Sequence, residues 1–392
     1  MVWRAVNEAA GGTRNPDPQM SQPAVLIVSA ANGAGHMRAA EAVRGAIAAR
    51  HPDVHVEHVE LLSIAPRWVR AFYGSLFEKV VEKAPRVWKE IYRLTDGDDH
   101  DNARWGRLAH ATLFREFRRL LHSRPWNVCV STHFLPCQLA AGRPGLPRFG
   151  LVVTDFGLHR MWVQPGASTY YVATDTLADA LRRRVRRARI EATGIPIDPV
   201  FAHAPSQAEA RAALGLAPDR PVALVMGGGL GIGVEEGVTA ALRSTEPGVQ
   251  LLAVCGRNDA ARCRLASAGM AQERLRVYGH VRGMEQYLAA ADVVVGKPGG
   301  LTVSETLALG KPLLLTRPIP GAEEENTRAV VAEGAALCAP TQEALRAQLR
   351  RLFHEPGLLT GLSDAARRIG RPHAADAIAA SINREYLHRA AA

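Results

Sequence analysis

"GKPGGLTVSETLALGKP", residues 296–312, follows the apolar run 293–295 and leads into a helical pattern rich in Leu and Ala. Strand, glycine turn and helix N-terminus in that order make a device for holding anions. Free backbone N–H groups converge at the helix start, and glycine lets a ligand approach the main chain. The same device occurs near the other end of the chain, in "SAANGAGHMRAAEAV" at 29–43. There the turn carries His36, with the helix expected to begin near Met37, where the later copy carries Ser304 and Glu305. Two copies with different chemistry predict two α/β domains that face one cleft.

Outward from these stretches, short β-branched runs alternate with helical ones. Strands are expected at 25–29, 54–59, 128–132, 149–154, 170–173 and 190–193, and again at 222–226, 251–255, 275–278, 293–295, 312–315 and 336–339. Between the two sets "TGIPIDPVFAH" (193–203) has the prolines and glycine of a linker. Alternation of this kind implies parallel sheets covered by helices on both faces, with ligands at the carboxyl ends of the strands. The expected division is a flexible leader at 1–23, a first doubly wound domain at 24–198, a second at 199–370, and a C-terminal helix at 371–392 that packs back on the first. A chain of 392 residues is too long for one ordinary core.

Hydrophobic residues make up 47% and charged residues 22%, the balance of a folded protein. No uninterrupted apolar run reaches about 18 residues, and 1–23 has no apolar core of a secretion signal, so a cytoplasmic protein is expected. The five cysteines, Cys129, Cys137, Cys255, Cys263 and Cys338, show no metal-ligand or pairing pattern and are expected in the core. The formal net charge of +10 asks for an acidic partner. Nucleic acid is disfavoured, because the densest cluster, "RRRVRRAR" at 182–189, lacks interleaved aromatics. An anionic membrane surface suits the segment 64–126 better. There Trp68, Phe72, Leu76 and Val80 recur every four residues among basic side chains, and Trp105, Leu108, Phe117 and Leu120 follow with Arg104, Arg107, Arg115, Arg118 and Arg119. Ordinary helices packed on the first sheet, with solvated charges, explain the same pattern.

Four groups of residues carry candidate chemistry. His36, in a glycine turn with Gly35, sits where a helix dipole disfavours protonation, so it is a candidate base; a turn-capping histidine is the alternative. "VMGGGLGIG" (225–233) offers Gly228 and Gly229 to an anion, or is merely a tight turn. Gly300, Thr302 and Ser304 open the later helix, Glu305 can accept from ribose hydroxyls, and Glu323 and Asn326 lie on a loop suited to sugar hydroxyls. His133 in "STHFLP" and Asp155, His159 and Trp162 in "VVTDFGLHRMWV" stand at strand ends beside His36, as a site or as a buried structural pair.

"VLIVSAANGAGH" (25–36), "VVTDFGLHRMWV" (152–163), "ATGIPIDPVF" (192–201) and "GKPGGLTVSETLALGKPLLLTRPIPGAEEEN" (296–326) together resemble the monogalactosyldiacylglycerol synthase and processive diacylglycerol glucosyltransferase family. More distantly the chain is similar to the peptidoglycan GlcNAc transferase that makes lipid II. The resemblance spans about residues 24–370. It implies a GT-B architecture, two Rossmann-like doubly wound domains facing an interdomain cleft, and a UDP-hexose transferred to diacylglycerol at the inner face of the membrane. It implies His36 as catalytic base with Asp155, and acceptor contacts from Gly35, His133, His159 and Trp162. Donor contacts would come from Gly228, Gly229, Val281 (uracil), Gly300, Thr302, Ser304, Glu305 (ribose), Glu323 and Asn326. No metal and no cofactor is implied. Ala322 stands where many relatives carry glutamine, which leaves the sugar open. A lipid II-like acceptor, a UDP-GlcNAc 2-epimerase and a nucleotide-sugar-binding protein without turnover are the competing expectations.

Overall fold

The computed structural model describes residues 22–30, 34–70, 104–246, 248–267 and 274–387, with backbone only for 34 and 104–110. Among them are twelve strands: β1 Ala24–Ser29, β2 His55–Glu60, β3 Val128–Ser131, β4 Arg148–Val152, β5 Ala167–Tyr171, β6 Arg189–Glu191, β7 Val222–Met226, β8 Gln250–Val254, β9 Leu275–Tyr278, β10 Val293–Gly296, β11 Leu313–Thr316 and β12 Ala336–Ala339. Every expected strand is present, with ends shifted by up to three residues.

The strands form two parallel six-stranded sheets, ordered β2-β1-β3-β4-β5-β6 and β12-β11-β10-β7-β8-β9. β1 shows why the sequence reads as it does. Leu26 and Val28 enter one core cluster and Val25 and Ile27 another, so both faces are covered and a continuous apolar run is required. The strand order reverses between β1 and β3 in the first sheet and between β7 and β10 in the second. Crevices at such reversals, outside the carboxyl ends of the strands, hold ligands. His36 follows β1 and the glycine turn 299–300 follows β10, so each device sits at the switch point of its own sheet.

The helix Ala34–Arg50 starts three residues before the expected position, so His36 lies within its first turn. Near its other end the chain returns to the first domain. The helix Ala374–Ile382 and the turn Asn383–Leu387 bury Ile378, Ala379, Ile382 and Tyr386 in one cluster with Val25, Ile27, Ile47 and Tyr171. Arg50 pairs with Asp376 at 2.8 Å, and the Tyr386 hydroxyl lies 2.7 Å from Thr169 Oγ1.

The amphipathic segment is only partly described. Phe72, Leu76 and Val80 lie outside the described residues, as do the side chains of Arg104, Trp105, Arg107 and Leu108. In the helix Arg104–Leu121, Leu113 and Phe117 are fully buried while Arg115 and Arg119 are 68% exposed. In the described part of this helix Leu113 and Phe117 thus face the core, as an ordinary helix packed on the first sheet would have them, while Arg115 and Arg119 face outward. Trp68, 45% exposed, is the large aromatic left at the surface of the described part. The arginine cluster 182–189 precedes β6 and so lies at the end of the sheet away from the cleft, with Arg182 paired to Asp179 and Arg189 to Glu385. Among the described residues no helix is long and apolar enough to cross a membrane. Cys129, Cys137 and Cys255 are core residues, whereas Cys263 is exposed, on a helix of the second domain.

Candidate active site

His36 is held by the ends of two neighbouring segments. Its Nδ1 lies 2.8 Å from the carbonyl oxygen of Thr132, just past β3, and 3.0 Å from Thr154 Oγ1, just past β4. The Thr132 hydroxyl in turn donates to the His36 carbonyl at 2.8 Å. A carbonyl accepts and never donates, so Nδ1 carries the ring proton and Nε2 keeps a lone pair. Burial lowers the His36 pKa below its ordinary value, against the opposing pull of Asp155 and the Thr132 carbonyl. A neutral imidazole with a fixed tautomer is what a proton acceptor needs near pH 7.

The rings around it form a cage. His133 meets His36 edge-on with centroids 4.8 Å apart, and Trp162 lies 6.2 Å from His36. Phe134 packs perpendicular to Trp162 at 5.9 Å. Asp155 accepts from the Trp162 indole at 3.2 Å through one oxygen and from Asn326 Nδ2 at 3.2 Å through the other. It acts on His36 through its charge and makes no hydrogen bond to it among those described. His133 and His159 have local work as well. His133 Nδ1 accepts from the Leu135 amide at 3.1 Å and caps the helix Phe134–Ala140, while His159 caps the short turn Arg160–Trp162 at 3.3 Å. Both rings are buried, and burial together with His36 pushes the His133 pKa well down.

Across the cleft the second domain presents uncapped helix starts. The helix Gly300–Ala308 has Gly299 at its N-cap, no side-chain cap and no acid in its first turn, which leaves its amide donors for an anion. The turn Gly228–Leu230 after β7 is likewise uncapped. Open space lies where a Cβ on Gly228 or Gly229 would stand. The helix Val234–Ser244 differs, because Glu235 and Glu236 already occupy its first turn. Ser304 bonds back to the Gly300 carbonyl at 2.9 Å, and Thr302 is partly exposed in the first turn. Val281 is partly buried between β9 and the following helix.

Glu305 is 1% exposed, yet it is reached from the other domain: the Arg38 guanidinium donates to its Oε1. Burial pushes the Glu305 pKa up to about 7, with Arg38 opposing and Asp198 adding to the rise. Glu323 accepts from the Ile319 amide at 2.7 Å and pairs with Lys297 at 3.3 Å; burial raises its pKa against that pairing. Asn326, also 1% exposed, bridges three elements. Its Oδ1 accepts from the Phe156 amide at 2.7 Å, and Nδ2 donates to Asp155 and, at 3.1 Å, to the Pro298 carbonyl. Its polar atoms are thus engaged between the domains. Gly35 also approaches the second domain, where a Cβ on it would stand 4.0 Å from Leu301 Cδ1.

Thr132, Thr154, Arg38 and Lys297 are the participants that the motifs alone did not single out. Strand-end position marked both threonines, and Lys297 stands inside the quoted glycine motif. Nothing in the sequence distinguished Arg38 from its neighbours. Among the described residues no group of three or more His, Cys, Asp or Glu is placed to hold a metal ion.

Comparison with known proteins finds a match for each half of the chain. Residues 36–197 match the monogalactosyldiacylglycerol (MGDG) synthase model, and residues 222–376 match the glycosyltransferase family 28 C-terminal domain. The chain joins an MGDG synthase domain to a glycosyltransferase family 28 C-terminal domain. The MGDG synthase domain contains the His36 cage, and the family 28 domain contains the uncapped helix starts. A processive diacylglycerol β-glucosyltransferase of Bacillus pumilus is 31% identical over 59% of this chain; the match spans only 61% of that relative's length. Another protein of that name, from Bacillus cytotoxicus, is 26% identical over 91% of this chain and 92% of its own. The crystal structure of MurG from Acinetobacter baumannii superposes with a TM-score of 0.64 at 17% identity, covering 92% of this chain and 99% of that one. The two domains thus adopt the GT-B architecture.

Proposed function

We propose that the protein transfers a hexose from a UDP-sugar to the free hydroxyl of 1,2-diacylglycerol, with inversion and without a metal. The observation that carries this reading is the His36 tautomer. The Thr132 carbonyl holds the proton on Nδ1, which leaves Nε2 as a base within an aromatic cage, opposite an uncapped helix start.

In this scheme the acceptor oxygen attacks the anomeric carbon as the bond from that carbon to the β-phosphate oxygen breaks. The hydroxyl proton passes to His36 Nε2, and the electron pair of the broken bond goes to UDP. Attack opposite the leaving group converts an α-linked donor into a β-glycoside. The amides at 228–230 and 299–302 meet the charge that grows on the diphosphate, and such preorganised donors are worth several kcal/mol, about 3 for one strong contact. Glu305 accepts from ribose hydroxyls, Val281 lies by the base, and Lys297 and Glu323 line the sugar side. Asp155 stabilises the imidazolium by charge and fixes the Trp162 wall. The diacylglycerol acceptor implies docking on the inner face of an anionic membrane, for which Trp68 and the exposed arginines of the helix Arg104–Leu121 are suited.

The test supplies diacylglycerol in anionic liposomes with UDP-glucose, UDP-galactose or UDP-GlcNAc, and follows UDP release and lipid products. A glycosylated diacylglycerol from one donor is expected and identifies the sugar. UDP binding with no lipid product from any donor sinks the acceptor assignment and turns attention to a polyprenyl-diphosphate acceptor or to epimerisation.

A further inference from the structure

Arg38 stands two residues after His36, on the same helix, and its half-exposed side chain reaches across the cleft to Glu305. The pair is asymmetric: the carboxylate is buried, whereas the guanidinium comes in from the solvent side. Glu305 lies in the second turn of the helix Gly300–Ala308, whose start is seated against the first domain through the Thr154 carbonyl. A vicinal diol pairs with both oxygens of a carboxylate, and the guanidinium already occupies Oε1, so the two compete for it. Long side chains paired across a domain boundary are also well placed to act as a two-state element, because one of them swings free at little cost.

We propose that Arg38 is a gate on the nucleotide site: it competes with the donor's ribose diol for Glu305, and donor entry requires the Arg38–Glu305 pair to open. The inference rests on Glu305 serving the ribose, as set out above. Because Arg38 shares a helix with His36, opening the pair also removes one tie between the base-bearing helix and the second domain, which makes nucleotide binding an event that loosens the acceptor side.

The experiment titrates UDP with the full-length protein and follows the 31P line shapes, which yield Kd and koff and hence the association rate. Wild type is compared with Arg38→Ala, Arg38→Gln and Glu305→Gln, each checked for folding by circular dichroism. Breaking the pair from either side is expected to raise the association rate roughly fivefold or more. Arg38→Ala removes a positive charge and Glu305→Gln a negative one, so steering of an anionic ligand alone predicts opposite changes. Acceleration in both directions of charge is the signature of a gate. Slower or unchanged association in Arg38→Ala and Arg38→Gln overturns the gate while leaving the nucleotide site intact. Absence of UDP binding by wild type overturns the nucleotide reading itself, and the gate with it. Arg38→Gln keeps the test valid should Glu305→Gln not fold.

Discussion

Gly300 lies so close to Thr154 that a Cβ on it would stand 2.0 Å from the Thr154 carbonyl oxygen, across the boundary between the two domains. Thr154 also holds His36, so one close approach ties the helix start of the second domain to the base of the first. Gly300→Ala has no room and must push the domains apart. It is expected to lower kcat/KM for sugar transfer roughly a hundredfold, as displacements of about an ångström do elsewhere. The assay above measures this; activity within a factor of about two of wild type would show that the contact does not govern alignment.

His36→Ala is expected to abolish transfer and leave UDP binding nearly unchanged, since the ring belongs to the first domain, which the proposed mechanism assigns to the acceptor. The pH profile gives a finer check. The folded pKa is depressed, so the imidazole stays neutral as pH falls through 6.5, and the acid limb of kcat/KM should lie below that value. The same sign applies to stability: His36 favours the folded state above 6.5, and that contribution is lost as pH falls. An acid limb above 6.5 would contradict the buried, neutral base.

Glu305→Gln should stabilise the protein at pH 8. An acid whose folded pKa is raised from 4.5 to about 7 binds more protons folded than unfolded between those values. Stability therefore falls as pH rises across that window, by about 3 kcal/mol at most. Urea unfolding should show the variant more stable at pH 8 and equal to wild type near the lower end of the window. A variant less stable at pH 8 would mean that the pairing with Arg38 outweighs the burial of the charge.

The architecture was legible because central parallel strands, buried on both faces, need continuous apolar runs such as those of β1, β7 and β10, while edge strands such as β2 stood out only through β-branched residues set among polar ones. The two glycine devices were legible for the same reason, since strand ends at sheet reversals are where turns must be tight. What stayed hidden depended on contacts between segments far apart in sequence. The stripe with Phe117 and Leu120 has the pattern of an interfacial helix, and only the neighbouring sheet decides that Phe117 is core. Arg38 and Glu305 are 267 residues apart, and no local pattern pairs them. Asn326 read as a sugar contact, and nothing local announces its bonds to the Phe156 amide and the Pro298 carbonyl.

Asn326→Leu is expected to destabilise the protein by about 2 to 4 kcal/mol, because it leaves the Phe156 amide and the Pro298 carbonyl without their partner and frees Asp155. Denaturant unfolding measures the loss. Transfer should fall further than UDP affinity, since the freed Asp155 no longer holds Trp162. A variant as stable as wild type would show that Asn326 does not join the domains in solution.

Ile378, Ala379 and Ile382 cover the same face of the first sheet as Val43 and Ile47, yet they are translated only after the whole second domain. On the ribosome the first sheet emerges before the second domain and waits with part of that face uncovered for about ten seconds or more at elongation rates of roughly 5–20 residues per second. The first of the two domains is therefore completed after the second, and its maturation depends on synthesis proceeding through residue 387.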